Sequence, residues 1–371
     1  MTISQKEQRI FLISNMFPDE NHPYFGIFVK NTADILEKNG FKIVSKVVVT
    51  EPNQKSFKKL VTYFKFYRDI LKGITHRNSY DLIYVHFISH SALPVLILKL
   101  FTKKKLMLNV HGSDVIIRGK IAKVLSVFSY PLVKMCDRIV VPSEFFKEVV
   151  KKKFKIKEDK IIVYPSGGIN TDIFKPMEIK NKTENKNTVV LGYISRIERG
   201  KGWDIFVNVI KSLNEKYSNI NFKGIMIGSG SERDKCIGLI KELDLEDKIE
   251  YLGGLSQREI NMYLNLMDLF IFPTRLEESL GLVGLEAMAA KVPVLGSNVG
   301  GIRTYIKDKE NGYLIDVDDV DGYVERVIEF IGLSNEQRER IIDNAYKTAL
   351  KYESNYVIDR FLREINKMLE E

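Results

Sequence analysis

Short apolar runs recur along the chain, and between them the apolar positions fall at helical spacing. In the first half, runs near 10–14, 43–49, 82–86, 106–110, 138–141 and 161–163 predict strands with helices between them. A second set follows near 189–194, 222–227, 249–252, 269–272, 293–295 and 313–315, and the last helices run from about 334 to the end. The two sets are separated by 177–188, MEIKNKTENKNT, which is polar, lacks apolar periodicity and reads as a linker. Alternating strands and helices are the pattern of parallel α/β domains. The pattern divides the chain into residues 1–176, the linker 177–188 and residues 189–371. A length of 371 residues exceeds what one core of usual size holds, in keeping with two domains. No solenoid-like repeat is seen; the halves are alike only in architecture.

Composition adds exclusions. The chain is 44% hydrophobic, enough for two sizeable cores. Its two cysteines, Cys136 and Cys236, lie far apart in apolar surroundings, which argues against a disulfide scaffold or zinc site and fits a reducing cytosol. The N-terminal MTISQKEQR has no apolar core of a secretory signal. The longest apolar stretches, such as Ile88 to Leu100, are interrupted and too short to span a bilayer. A cytoplasmic protein is the expectation.

Charge is uneven. Residues 1–176 hold 30 Lys and Arg against 15 Asp and Glu, net +15, while the remainder holds 27 against 33, net −6. The basic excess concentrates in 56–73, 99–105 and 147–157. The first of these interleaves Phe57, Leu60, Val61, Phe64, Tyr67, Ile70 and Leu71 with Lys58, Lys59, Lys65, Arg68 and Lys72. Such a helix can lie on an anionic membrane face, or it can be a solvated face over an ordinary core stripe. No recognised nucleic-acid module appears, so nucleic acid is not an expected partner.

Three segments carry candidate chemistry. Phe272 to Gly301 places Glu278 and Glu286 on either side of a glycine-bearing turn, Ser279-Leu280-Gly281-Leu282, between an apolar run ended by Pro273 and a run of good helix formers. Glu278 then falls in a strand-to-helix loop and Glu286 about a turn into the helix. The free N–H groups of that helix start offer an anion site, and a carboxylate on each side can accept hydroxyls. Spacing alone fits two solvated glutamates equally well. In Val189 to Trp203, a strand is followed by Arg196 and then Lys201-Gly202 opening a helix; Arg supplies a bidentate fork and Lys a point charge for a diphosphate, although surface cations are the plain alternative. In Leu106 to Asp114, a strand ends in His111-Gly112-Ser113-Asp114, where a sheet of this kind lines its ligand crevice; a structural hydrogen bond is the plain alternative for His111. Asp316-Val317-Asp318 has a metal-binding form but is expected to lie away from these motifs, and no metal site is expected.

Taken together and in order, HGSD at 111–114, SEFFKEVV at 143–150, YPSGGINTDIFKP at 164–176, GYISRIERGKG at 192–202, the Glu278-to-Glu286 block running on through EAMAAKVPVLGSNVGG, and NGYLID at 311–316 resemble glycosyltransferase family 4. The resemblance covers about residues 10–330. It departs at Ser279-Leu280, where the family usually has Gly-Phe, and at Lys291, where it often has Gly. The resemblance implies a GT-B fold, two Rossmann-like α/β/α domains facing a central cleft, with the final helix crossing back to the first domain. It implies a retaining, metal-independent transferase using a nucleotide-diphosphate sugar as donor substrate, with no other cofactor. Arg196, Lys201 and the helix start at Gly281 and Leu282 would face the diphosphate, Glu278 the transferred sugar, Glu286 the ribose and His111 the reacting sugar. Gly26, in the loop after the first strand, would let backbone approach the substrates. A glycan or lipid-linked acceptor in cell-surface polysaccharide synthesis, reached from the cytoplasmic face of the membrane, fits the basic first half. A GT-B-fold sugar-nucleotide epimerase and a non-catalytic binding subunit are the other readings.

Overall fold

The computed structural model describes residues 7–52, 55–112, 114–115, 126–178 and 187–371. The chain forms two compact α/β units, Met1–Gly167 with Val357–Glu371, and Gly168–Tyr356. The division falls at Gly167 rather than at Pro176, because Ile169 and Phe174 are buried in a core of the second unit. Most of the expected linker, 179–186, lies outside the described residues. Among the described residues no helix is long and apolar enough to cross a membrane.

The N-terminal unit is built on β1 (Gln8–Ser14), β2 (Phe41–Val48), β3 (Leu82–His86), β4 (Lys105–Asn109), β5 (Arg138–Val141) and β6 (Ile161–Val163), all parallel in the order β2-β1-β3-β4-β5-β6. Among the described residues its α-helices are α1 (Ile27–Lys38), α2 (Ser56–Lys72), α3 (Ile88–Phe101), α4 (Ser129–Met135) and α5 (Glu144–Phe154). Successive strand residues point to opposite faces. Ile83 and Val85 enter one core with Phe66, Ile70 and Val95, while Leu82 and Tyr84 enter the other with Val29 and Leu36.

The C-terminal unit repeats the plan with β7 (Thr188–Ile194), β8 (Asn221–Ile227), β9 (Ile249–Gly253), β10 (Leu269–Phe272), β11 (Val294–Ser297) and β12 (Tyr313–Ile315), in the order β12-β11-β10-β7-β8-β9. It carries α6 (Trp203–Lys216), α7 (Arg233–Glu242), α8 (Gln257–Leu264), α9 (Leu282–Ala289), α10 (Val320–Gly332) and α11 (Asn335–Leu350). The last helix, α12 (Ser354–Glu370), presents Val357, Phe361, Ile365 and Met368 as one stripe to the N-terminal unit's core. Phe361 stacks on Tyr164 at 4.0 Å, and Arg138 holds the Glu371 carboxylate at 2.7 and 2.8 Å. Each such apolar side chain contributes about 1.5–3 kcal/mol on burial.

In both sheets the strand order reverses at a defined point, between β1 and β3 in one and between β7 and β10 in the other. Ligands of open parallel sheets bind beyond the strand ends at such points.

Candidate active site

In the C-terminal unit, the loops after β7 and β10 leave the sheet side by side at the reversal. Three backbone constraints shape them. Gly202 caps α6 with φ +76, and a Cβ there would run into the Pro273 carbonyl. Gly281 caps α9 with φ +84, and a Cβ there would stand 2.8 Å from the Phe272 ring. Gly300 and Gly301 press on the backbone of Glu278 and Ser279, where the Gly301 N–H donates to the Glu278 carbonyl at 2.8 Å. L-residues resist positive φ and have no room for a Cβ here, so glycine is a geometric requirement.

The result brings Lys201 and Glu278 together. Lys201 Nζ lies 2.7 Å from Glu278 Oε1, with side chains only 12% and 16% exposed. The buried Thr274 hydroxyl donates to the same oxygen at 3.0 Å. Glu286 stands one turn into α9 and keeps partial exposure, but the surrounding protein removes enough water to push its carboxyl up to about 7. Among the described residues its carboxyl has no hydrogen-bond or ion-pair partner. Tyr305 donates its hydroxyl to the Gly281 carbonyl at 3.1 Å, and its own ionisation is suppressed by burial and by the nearby charges of Glu278 and Glu286. Leu282 is the first residue of α9.

Arg196 is not brought to this pair. Its side chain is 66% exposed and bonds Glu198 at 2.8 Å, because the two residues share one short turn. Asp318, expected away from the motifs, in fact reaches the site loop: Arg275 donates to it at 2.5 Å and grips Asp204 at 2.7 and 2.8 Å. Arg275 thereby ties the β10 loop to the start of α6 and to the turn before α10.

In the N-terminal unit, His111 follows β4 and Asp114 accepts the His111 backbone N–H at 2.9 Å and that of Ile88 at 3.2 Å. Ser113 lies outside the described residues. The His111 ring lies 4.6 Å from both Phe28 and Phe87, and burial holds it down to about 3, so it is a neutral imidazole at pH 7. His111 Nε2 meets His86 Nδ1 at 3.0 Å. His86 ends β3, and His90 lies in the first turn of α3. Gly26 caps α1 with φ +75, and a Cβ there would meet the Met16 carbonyl carbon at 2.6 Å; its glycine is required by the chain's own backbone.

Sequence spacing singled out Lys201, Glu278, Glu286 and His111, of which the structure brings Lys201 to Glu278 and His111 to His86. It missed Thr274, Tyr305, Arg275 and His86, whose roles depend on contacts across 24 or more residues in three of the four cases. The doublet Gly300-Gly301 was a further signal of a tight approach.

Two parallel six-stranded sheets, each with a strand-order reversal, make this a two-domain α/β protein of the GT-B type. Residues 174–348 match the model of glycosyl transferases group 1, and residues 18–172 match that of Glycosyltransferase Family 4. An uncharacterized glycosyltransferase of Methanocaldococcus jannaschii is 26% identical over 364 residues, covering 92% of this chain and 95% of that one. Sucrose-phosphate synthase from Thermosynechococcus elongatus has a TM-score of 0.76 at 16% identity, covering 98% of this chain and all of that one (100%). Anabaena HepE in complex with UDP and glucose has a TM-score of 0.70 at 17% identity, with coverage of 98% and 100%. The chain belongs to glycosyltransferase family 4.

Proposed function

We propose that the chain transfers a hexosyl group, with retention at the anomeric carbon, from a nucleotide-diphosphate sugar to a glycan or lipid-linked acceptor in cell-surface polysaccharide synthesis. The observation that carries this reading is the meeting of Lys201 and Glu278 at the sheet reversal, one loop from Glu286. As the glycosidic bond breaks, negative charge grows on the leaving diphosphate. Lys201 and the N–H groups at Leu282 and the start of α9 are fixed in advance to meet it. Arg196 joins them on leaving Glu198. Glu278 has Oε1 committed to Lys201 and Thr274, which orients the carboxylate for a sugar hydroxyl at its other oxygen. Glu286 receives the ribose hydroxyls, and His111 attends the reacting sugar as a neutral hydrogen-bonding group.

Cationic side chains and helix N–H groups take the place of a divalent ion, and no cofactor beyond the donor is invoked. The relative solved with UDP and glucose supports a nucleotide-sugar donor. On α2, Phe57, Leu60 and Phe64 are exposed among lysines while Phe66 and Ile70 fill the core. That second apolar stripe supports a cytoplasmic enzyme resting on an anionic inner-membrane face, where its acceptor would be anchored.

The test is turnover of UDP-, GDP- and ADP-sugars with EDTA present, following nucleoside diphosphate release and the anomeric configuration of the product by NMR. Release with retention supports the reading. Epimerised donor without transfer selects the epimerase, and tight donor binding without turnover selects a binding subunit. Activity lost to EDTA and restored by magnesium would sink metal independence.

A further inference from the structure

We propose that His86 is a positioning residue for His111, fixing which imidazole nitrogen of His111 carries the proton. His86 is fully buried at the end of β3, and its ring lies between Tyr84, 4.4 Å away, and His111, stacked at 5.2 Å and 13°. Its Nδ1 stands 3.0 Å from His111 Nε2, while its Nε2 has no hydrogen-bond partner among the described residues. Tyr84 is itself occupied, accepting from Asn109 Nδ2 at 2.7 Å.

A neutral imidazole has one N–H donor and one acceptor nitrogen. Two arrangements of the pair are therefore open. In one, His86 carries its proton on Nε2, where a buried N–H is left without an acceptor. In the other, His86 carries it on Nδ1 and donates to His111 Nε2, so the unpartnered atom is only an acceptor lone pair. Orphaned buried N–H groups are the rarer and costlier case. Both rings are stripped of water, which disfavours the doubly protonated alternatives. The second arrangement remains. His111 must then hold its proton on Nδ1, so the ring edge turned away from His86 is a donor. A donor there suits an oxygen of the sugar or one that gains negative charge during transfer. The backbone supports the placement: Phe87, between His86 and α3, holds φ +62, an uncommon state for an aromatic residue, and Ile88 is tied to Asp114 beside His111.

This inference rests on the proposed placement of His111 at the reacting sugar, and its test separates the two. The chain has five histidines, so ¹⁵N-labelled protein allows each imidazole to be assigned by long-range NMR correlation at pH 7. The expected spectrum shows His86 and His111 both neutral and both protonated on Nδ1. His111 protonated on Nε2 in the wild-type protein overturns the proposal, whatever the variants do. His86→Leu should release the His111 tautomer and lower kcat by about 10- to 100-fold, with the donor KM little changed. His86→Asn, whose amide nitrogen replaces Nδ1–H, should restore most of the loss. Unchanged His111 nitrogen shifts in His86→Leu would also overturn it. If instead His111→Ala turns over normally while the tautomer result stands, the placement of His111 at the sugar fails and the positioning by His86 does not.

Discussion

In the N-terminal unit, His111 and His86 are stripped of water and held neutral, and they bond to each other; in the C-terminal unit, Lys201 and Glu278 meet as an ion pair inside a loop cage of glycines. Yet it is the N-terminal half of the sequence that carries the basic excess and the C-terminal half that is net acidic. Bulk charge and site charge are therefore separate properties here. The surplus lysines sit on outer helices such as α2 and α5, while Lys201, the cation proposed for the diphosphate, is placed by a positive-φ glycine. A buried neutral histidine can only donate or accept a hydrogen bond, whereas a paired lysine can follow growing charge.

The sharpest way to break this contrast is Lys201→Ala. It removes the charge and strands Glu278 in a half-closed site, so kcat/KM should fall by about 100- to 1000-fold. Arg196→Ala should cost far less, about tenfold, since the exposed guanidinium must first leave Glu198. Steady-state kinetics of the two variants checks the ranking. Equal losses would mean that Arg196 closes on the donor as fully as Lys201 does.

The backbone behind the lysine comes next. Gly202→Ala forces a Cβ into the Pro273 carbonyl at a left-handed position, and should destabilise the fold by about 3 kcal/mol in denaturant unfolding. That glycine was legible in the sequence as part of a Lys-Gly pair opening a helix. Its physical reason was not, because Pro273 arrives from a strand distant in sequence. The same holds across the molecule. The described strands were readable as short apolar runs, clearest where every position is buried, as in β3, β5, β10 and β11. Glu278 and Glu286 were readable because one short loop and one helical turn fix their spacing. Arg275 was invisible: its partners Asp204 and Asp318 come from the start of α6 and from the turn before α10. The pairing of Arg196 with Glu198 was not legible, because proximity in sequence says nothing about which way a side chain turns. His86 was passed over because a histidine ending an apolar strand gives no sign of the ring it will meet.

Glu286 gives a pH-dependent test, intermediate in size. Its carboxyl is pushed up from 4.5 to about 7 by burial, so the ligand-free fold prefers it protonated. A raised carboxyl contributes stability that is fully present below about 4.5 and is lost as pH rises through about 7. Ribose hydroxyls donate best to the ionised form. Affinity for the nucleoside diphosphate should therefore climb several-fold between pH 6 and 8, by calorimetric titration, and Glu286→Gln should flatten that rise. A wild-type affinity flat across that range would remove Glu286 from the ribose.

The smallest effect concerns a lysine that stands where glycine is easier. Lys291 ends α9 with φ +62, and the N–H of Val292 returns to the Ala287 carbonyl at 2.9 Å, the closing bond of a left-handed helix end. Family 4 chains often carry glycine at this position, which the geometry now explains. A side chain in this conformation costs about 1–2 kcal/mol, and glycine offsets much of that relief by gaining freedom in the unfolded chain. Lys291 also bonds Asp343 at 3.1 Å, but both side chains are about half exposed and the pair is worth under about 1 kcal/mol. Lys291→Gly should therefore change stability by between zero and about 1 kcal/mol in the stabilising direction, with donor turnover unchanged. A clear loss of stability would show that the Asp343 pair and the lysine's packing over Tyr346, 5.6 Å away, outweigh the backbone strain. In that case the C-terminal unit tolerates a strained residue as the N-terminal unit does at Phe87, and glycine at its turns would be a matter of space for a Cβ more than of backbone angle.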